Sequence, residues 1–161
     1  MKILDLLNRV VTWFTALILA FMTIMVMLQV IFRYVLSLPF PESQELAVYA
    51  MVYVVTFGSS IAVHNHSHVA VTFIVEKFPS MLNFVARMCM YVAMVVFFGL
   101  LIKYGWDISL RAMRQLSPST GIPVGYVMMS IPISSVISLL YVLEQFVAAI
   151  KRGPNGAASS N

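Results

Sequence analysis

The sequence predicts an all-α membrane protein: four transmembrane helices plus a short interfacial amphipathic helix. Three observations lead there. Of 161 residues, 61% are apolar and 10% charged, where a soluble domain runs nearer ~45–50% and ~25%. Four stretches are apolar enough to cross a hydrocarbon core about 30 Å thick. The basic residues stand singly beside those stretches, so the net charge of +4 is flanking charge and no nucleic-acid partner is expected. The single cysteine, Cys89, excludes a disulfide framework, a zinc knuckle and CxxC redox chemistry.

The first span is the uncharged run from Val10 to Phe32. It is longer than a signal-peptide apolar region and no small-residue cleavage site follows it, so it is expected to remain as an anchor. Trp13 near its start suits the interfacial belt. Pro41, Glu42 and Glu45 open the second span, because acids in a first turn complement the helix dipole; its apolar body runs from Leu46 to Val63. His64, His66 and His68 follow. The spacing of four that joins His64, His68, Thr72 and Glu76 lines one helical face, which predicts the interfacial helix over 69–78, ended by Pro79.

Only a short uncharged run separates Arg87 from Lys103. Both side chains must snorkel, which extends the third span to Met81 through Tyr104. Ser117, Pro118, Gly121 and Pro123 interrupt the next run, so the fourth span extends from Val124 to Ile150. Pro132 inside it is expected to kink the helix and free a carbonyl that Ser134 or Ser135 would answer. Residues 1–150 thus read as one four-helix membrane domain and 151–161, rich in Gly, Ser and Asn, as a disordered cytoplasmic tail. Six basic residues (Lys2, Arg9, Lys77, Arg87, Lys151, Arg152) against four (Arg33, Lys103, Arg111, Arg114) place both termini in the cytoplasm.

Ionisable groups at membrane depth usually mark chemistry, and these spans carry none in the middle. No catalytic residue, cofactor site or metal site is expected, and the chain is not read as an enzyme. Glu144 reads as an interfacial carboxylate, and Gln29 as a partner for another helix. Alternating imidazoles at His64, His66 and His68 suit a metal or haem, but polar loop residues at a span end explain them more simply. Arg33 beside Tyr34 is either a snorkelling anchor or the partner of Glu42 or Glu45. The patch Gly58, Ser59, Ser60 and the 12 methionines permit close helix approach and adaptable packing.

Arg33-Tyr34, Pro41-Glu42, Glu45-Leu46, Gly58, His68-Val69, Ser117-Pro118, Gly121-Ile122-Pro123 and Ile131-Pro132, in this order, resemble the small membrane subunit of TRAP transporters, the DctQ-like family, over residues 10 to 150. In place of the family's Trp-led pair of acids stand Phe40 and Gln44-Glu45, and where it has a basic residue and an Asp this chain has His64 and Thr72. The resemblance implies a small subunit of a tripartite, ATP-independent periplasmic transporter in the bacterial inner membrane. Its partners would be a large membrane subunit, a periplasmic substrate-binding protein and membrane lipids, and the work sodium-coupled uptake of an organic acid. The residues expected at the subunit interface or in structural roles are Arg33, Tyr34, Glu42, Glu45, Gly58, His68, Pro123 and Pro132. Arg111 and Arg114 form a basic rim suited to docking the binding protein. The alternatives are a self-sufficient multidrug-type carrier, which would need a deep carboxylate in the first span, and a haem-binding respiratory anchor, which would need paired histidines within the bilayer.

Overall fold

A computed structural model of the chain describes residues 2–37, 40–66 and 80–152. Among them are five helices: α1 (Lys2–Tyr34), α2 (Pro41–His66), α3 (Ser80–Ala112), α4 (Val124–Met128) and α5 (Ser130–Arg152). The interfacial helix expected over 69–78, with His68, lies outside the described residues. Four segments are long and apolar enough to cross a membrane: Leu4–Tyr34, Pro41–Asn65, Met88–Ala112 and Val124–Ile150. The last is α4 and α5 in succession.

The helices extend beyond the expected spans. α1 begins eight residues before Val10, because Ile3 to Asn8 holds no helix breaker and Asp5 sits favourably in its first turn. α3 ends at Ala112 rather than Tyr104. At ~1.5 Å per residue it is about 50 Å long, so its last two turns carry Asp107 and Arg111 past a hydrocarbon core of about 30 Å.

Packing follows an open order. α1 packs on α2, α2 on α5, and α5 together with α4 on α3. Phe14 meets Phe57 edge-on with centroids 5.4 Å apart, and Phe32 lies 5.0 Å from Phe40, fixing α1 along α2. The remainder of α1 faces outward, with Trp13 73% and Leu17 71% exposed. An apolar helix with one protein neighbour is stable only in lipid or against another chain. By contrast, α5 is the most enclosed helix. Ser130, Ser134, Ser138, Tyr141 and Gln145 are all buried along it, and the small side chains among them, at one-turn spacing, admit close neighbours.

The fourth span is divided at Met129 rather than kinked within a continuous helix. Pro132 has no N–H to offer the carbonyl of Met128, and it falls in the first turn of α5, where proline is tolerated. The hydroxyls of Ser134 and Ser135 both donate to the carbonyl of Ile131, at 3.0 and 2.7 Å. They therefore do not answer the carbonyl that Pro132 leaves without a donor. Ser130 donates to Val127 O at 2.8 Å, and Ile133 N–H to Met129 O at 3.3 Å, which carries the helix across the break.

Candidate functional site

Glu45 lies in the second turn of α2, and its carboxylate reaches a loop more than seventy residues away in sequence. Oε1 accepts hydrogen bonds from the hydroxyls of Ser117 and Tyr49, the latter at 2.8 Å. Oε2 accepts from the backbone N–H groups of Ser119 at 3.2 Å and Thr120 at 3.0 Å. Four donors occupy both oxygens. Charge-assisted bonds of this kind are stronger than neutral ones, and they satisfy backbone donors that a non-helical loop would otherwise leave open.

The loop is built to present three of those donors, Ser117, Ser119 and Thr120, while Tyr49 stands one turn along α2. Ser117 N–H donates to Ile122 O at 3.0 Å and Val124 N–H to Gln115 O at 2.9 Å, so the chain doubles back between α3 and α4. Gly121 supplies φ +67° at the return, a conformation that glycine adopts without steric cost. Ser117 Oγ lies 2.9 Å from Thr120 Oγ1, which ties the turn internally. Pro123 precedes α4 with φ −59°, as the pyrrolidine ring dictates.

Two glycines bring the helices around the loop into close contact, Gly125 of α4 against Met113 and Gly105 of α3 against Pro132 of α5. A Cβ on Gly125 would stand 2.6 Å from the backbone nitrogen of Met113, and one on Gly105 would stand 3.3 Å from Pro132 Cδ. The first spacing admits no side chain at all. Tyr53 on α2 donates its hydroxyl to Tyr126 O at 2.8 Å, so α2 grips both the loop and the helix that follows it.

The other expected site residues are distributed differently. Arg33 is exposed and lies over the ring of Tyr34, 5.9 Å from its centroid. Among the described residues no ion pair joins Arg33 to Glu42 or Glu45, because the loop already occupies the Glu45 oxygens. Glu42 stays in the first turn of α2. A Cβ on Gly58 would meet nothing within 4 Å, and Ser59 is exposed with its hydroxyl on Val55 O. Close approach thus belongs to Gly105 and Gly125. Pro132 is buried against Gly105. Arg111 and Arg114 are exposed beside the pinned loop, with Lys103 and Asp107 also exposed.

Sequence reasoning missed Tyr49, Tyr53, Ser117 and Thr120 as working parts of this assembly. A Ser-Pro-Ser-Thr-Gly run between spans does carry a signal, since turn residues with hydroxyls and free N–H groups form a ready cradle for a carboxylate.

The DctQ family model, described as the DctQ component of tripartite ATP-independent periplasmic transporters, matches residues 22–152. The chain belongs to this family. The match takes in both sides of the pin, Glu45 and the 117–120 loop. Among curated proteins, a putative TRAP transporter small permease protein of Haemophilus influenzae is 23% identical over 83% of each chain. The sialic acid TRAP transporter small permease protein SiaQ of Vibrio cholerae is 27% identical over 74% of this chain and 69% of its own length. A DctQ-family small permease subunit is a multi-pass membrane protein of a TRAP transporter, in agreement with the four spans.

Proposed function

We propose that this DctQ-family subunit completes and orients the large membrane subunit of its transporter, and that the assembly takes up an organic acid with sodium from a periplasmic binding protein. The supporting observation is the outward apolar surface of α1, held on one side only by α2, on a chain whose ionisable residues all lie towards span ends. Such a chain offers much surface for another membrane protein and no charge in mid-span to hold an anion or sodium. The relative named for sialic acid transport makes an acidic sugar one solute worth testing. Inner-membrane residence with cytoplasmic termini accords with the distribution of basic residues.

The test is uptake by proteoliposomes. Those holding this chain alone are expected to take up no organic acid. Adding the large subunit, the binding protein and an inward sodium gradient should start uptake. Accumulation by the small subunit alone would overturn the reading.

With cytoplasmic termini, Arg111 and Arg114 face the periplasm beside the pinned loop. This basic rim suits an acidic face on the binding protein, and rim charges act chiefly on encounter rate. Replacing both with Glu is expected to slow uptake most at low ionic strength and limiting binding protein, with the two membrane subunits still co-purifying. Unchanged uptake across a salt series would assign these arginines to lipid head groups.

A further inference from the structure

The segment between α3 and α4 keeps its backbone to itself. Pro118 and Pro123 carry no N–H, and eight of the ten other residues from Met113 to Val124 have theirs bonded within the chain. Those of Ser119 and Thr120 go to the Glu45 carboxylate, and the other six go to carbonyls of the segment itself or of the end of α3. A connection lying in water has no such need, because solvent takes up the N–H groups that the chain leaves over. Among the described residues only the Leu116 and Ile122 N–H groups in this segment lack an acceptor. Those same two residues turn apolar side chains outward, Leu116 67% and Ile122 38% exposed, from the two arms that the bridge of Leu116 to Pro123 holds together.

What α2 holds fixes the depth of the segment. Glu45 is the fifth residue of α2 and Tyr53 the thirteenth. At ~1.5 Å per residue they lie about 6 and 18 Å from the start of a helix that is itself a span. Glu45 binds the loop, and Tyr53 binds Tyr126 of α4. The loop is thus held down to the level of the first turns of α2, and α4 lies deeper still. Exposed aromatic rings flank the loop in sequence, Tyr104 and Trp106 on α3 and Tyr126 on α4. Such rings collect where acyl chains meet head groups.

We propose that the loop over residues 113–123 is embedded in lipid at the boundary between head groups and acyl chains, with Leu116 and Ile122 inserted among the chains. Non-helical backbone persists at that depth only where protein answers its polar groups, and here Glu45 and the carbonyls of the turn answer them. The two remaining N–H groups meet the phosphate and ester oxygens of the head groups. A docked protein fits this surface less well, because protein interfaces exchange hydrogen bonds across the contact and this loop has closed nearly all of its own. Arg111 and Arg114 stand outside the inserted pair, with stems long enough to keep their charged ends at the water side.

The test uses the full chain in lipid bilayers, with Cys89→Ala as the background. A nitroxide is attached in turn through Leu116→Cys and Ile122→Cys, and power saturation compares its collisions with oxygen, which concentrates in acyl chains, and with a water-soluble nickel chelate. Oxygen is expected to dominate at both positions, as it does for a nitroxide on the native Cys89 within the α3 span. Dominance of the chelate at Leu116 and Ile122 puts the loop in water and overturns the proposal. Loss of the oxygen collisions when the large subunit or the binding protein is added assigns the surface to that protein, and overturns it as well. Transfer of magnetisation from acyl-chain protons to the Leu116 and Ile122 methyl groups of the unsubstituted chain gives the same reading without a label, and its absence in bilayers of this subunit alone is equally decisive against lipid insertion.

Discussion

Replacing Glu45 with Ala is expected to release the loop between α3 and α4 and to abolish most of the uptake that depends on it. The side chain is the common acceptor for Ser117, Tyr49 and the N–H groups of Ser119 and Thr120. Without it two backbone donors, a serine and a tyrosine lose their partner together. Glu45→Gln should be nearly as damaging, because an amide puts an NH2 where the loop presents donors, and so turns one half of the contact repulsive. Amide exchange at Ser119 and Thr120 is the direct measurement. Both should exchange faster by roughly an order of magnitude or more in the Ala variant, as local opening becomes easier, while amides in the middle of α5 stay protected. Unchanged exchange at Ser119 and Thr120 would show that the loop holds its shape without the carboxylate. Ser117→Ala removes one donor and leaves the two N–H contacts, so its effect should be smaller than that of Glu45→Ala.

The four spans are legible because hydrocarbon thickness writes itself into the sequence as a run of uncharged residues between Arg9 and Arg33, or as the apolar stretch between Pro123 and Ile150. The partners within the bundle are not legible, for a related reason. In a membrane helix nearly every face is apolar, so periodicity no longer distinguishes the packed side from the lipid side. Gly58, Ser59 and Ser60 read as a close-approach patch, yet of the three only Ser60 is buried, and the tight contacts fall at Gly105 and Gly125. Glu45 reads as a candidate for Arg33 because both flank one short loop. Sequence proximity favours that pairing, whereas the carboxylate goes to Tyr49 on its own helix and to three donors arranged by a turn far away in sequence. Pro132 does interrupt the helical hydrogen bonding, but its position in the first turn of α5 depends on the helix stopping at Met128, which no residue between 124 and 131 announces.

Gly125→Ala is expected to destabilise the subunit more than any other glycine-to-alanine change in the described spans. The added methyl would meet the backbone nitrogen of Met113 at 2.6 Å, with Met113 Cγ and Sδ at 2.7 Å. The methionine side chain has rotamers to retreat into, but the backbone atom belongs to the end of α3 and moves only if α4 moves away from it. Overpacking of this kind costs about 1–3 kcal/mol, and here the displacement also carries Pro123 and the loop that Glu45 holds. Gly99 and Gly58 are the controls, because a Cβ at either meets nothing within 4 Å. In a helix interior glycine is less favourable than alanine by about 0.5–1 kcal/mol, so Gly99→Ala and Gly58→Ala should leave the isolated subunit as stable or slightly more so. Thermal unfolding of the three variants in lipid should separate them in that order. Co-purification with the large subunit then reads a different surface. If Gly58→Ala preserves the stability of this chain but weakens its capture of the large subunit, the open space over Gly58 is where the partner packs. If capture is also unchanged, Gly58 is excluded from the interface and the outward face of α1 becomes the surface to map.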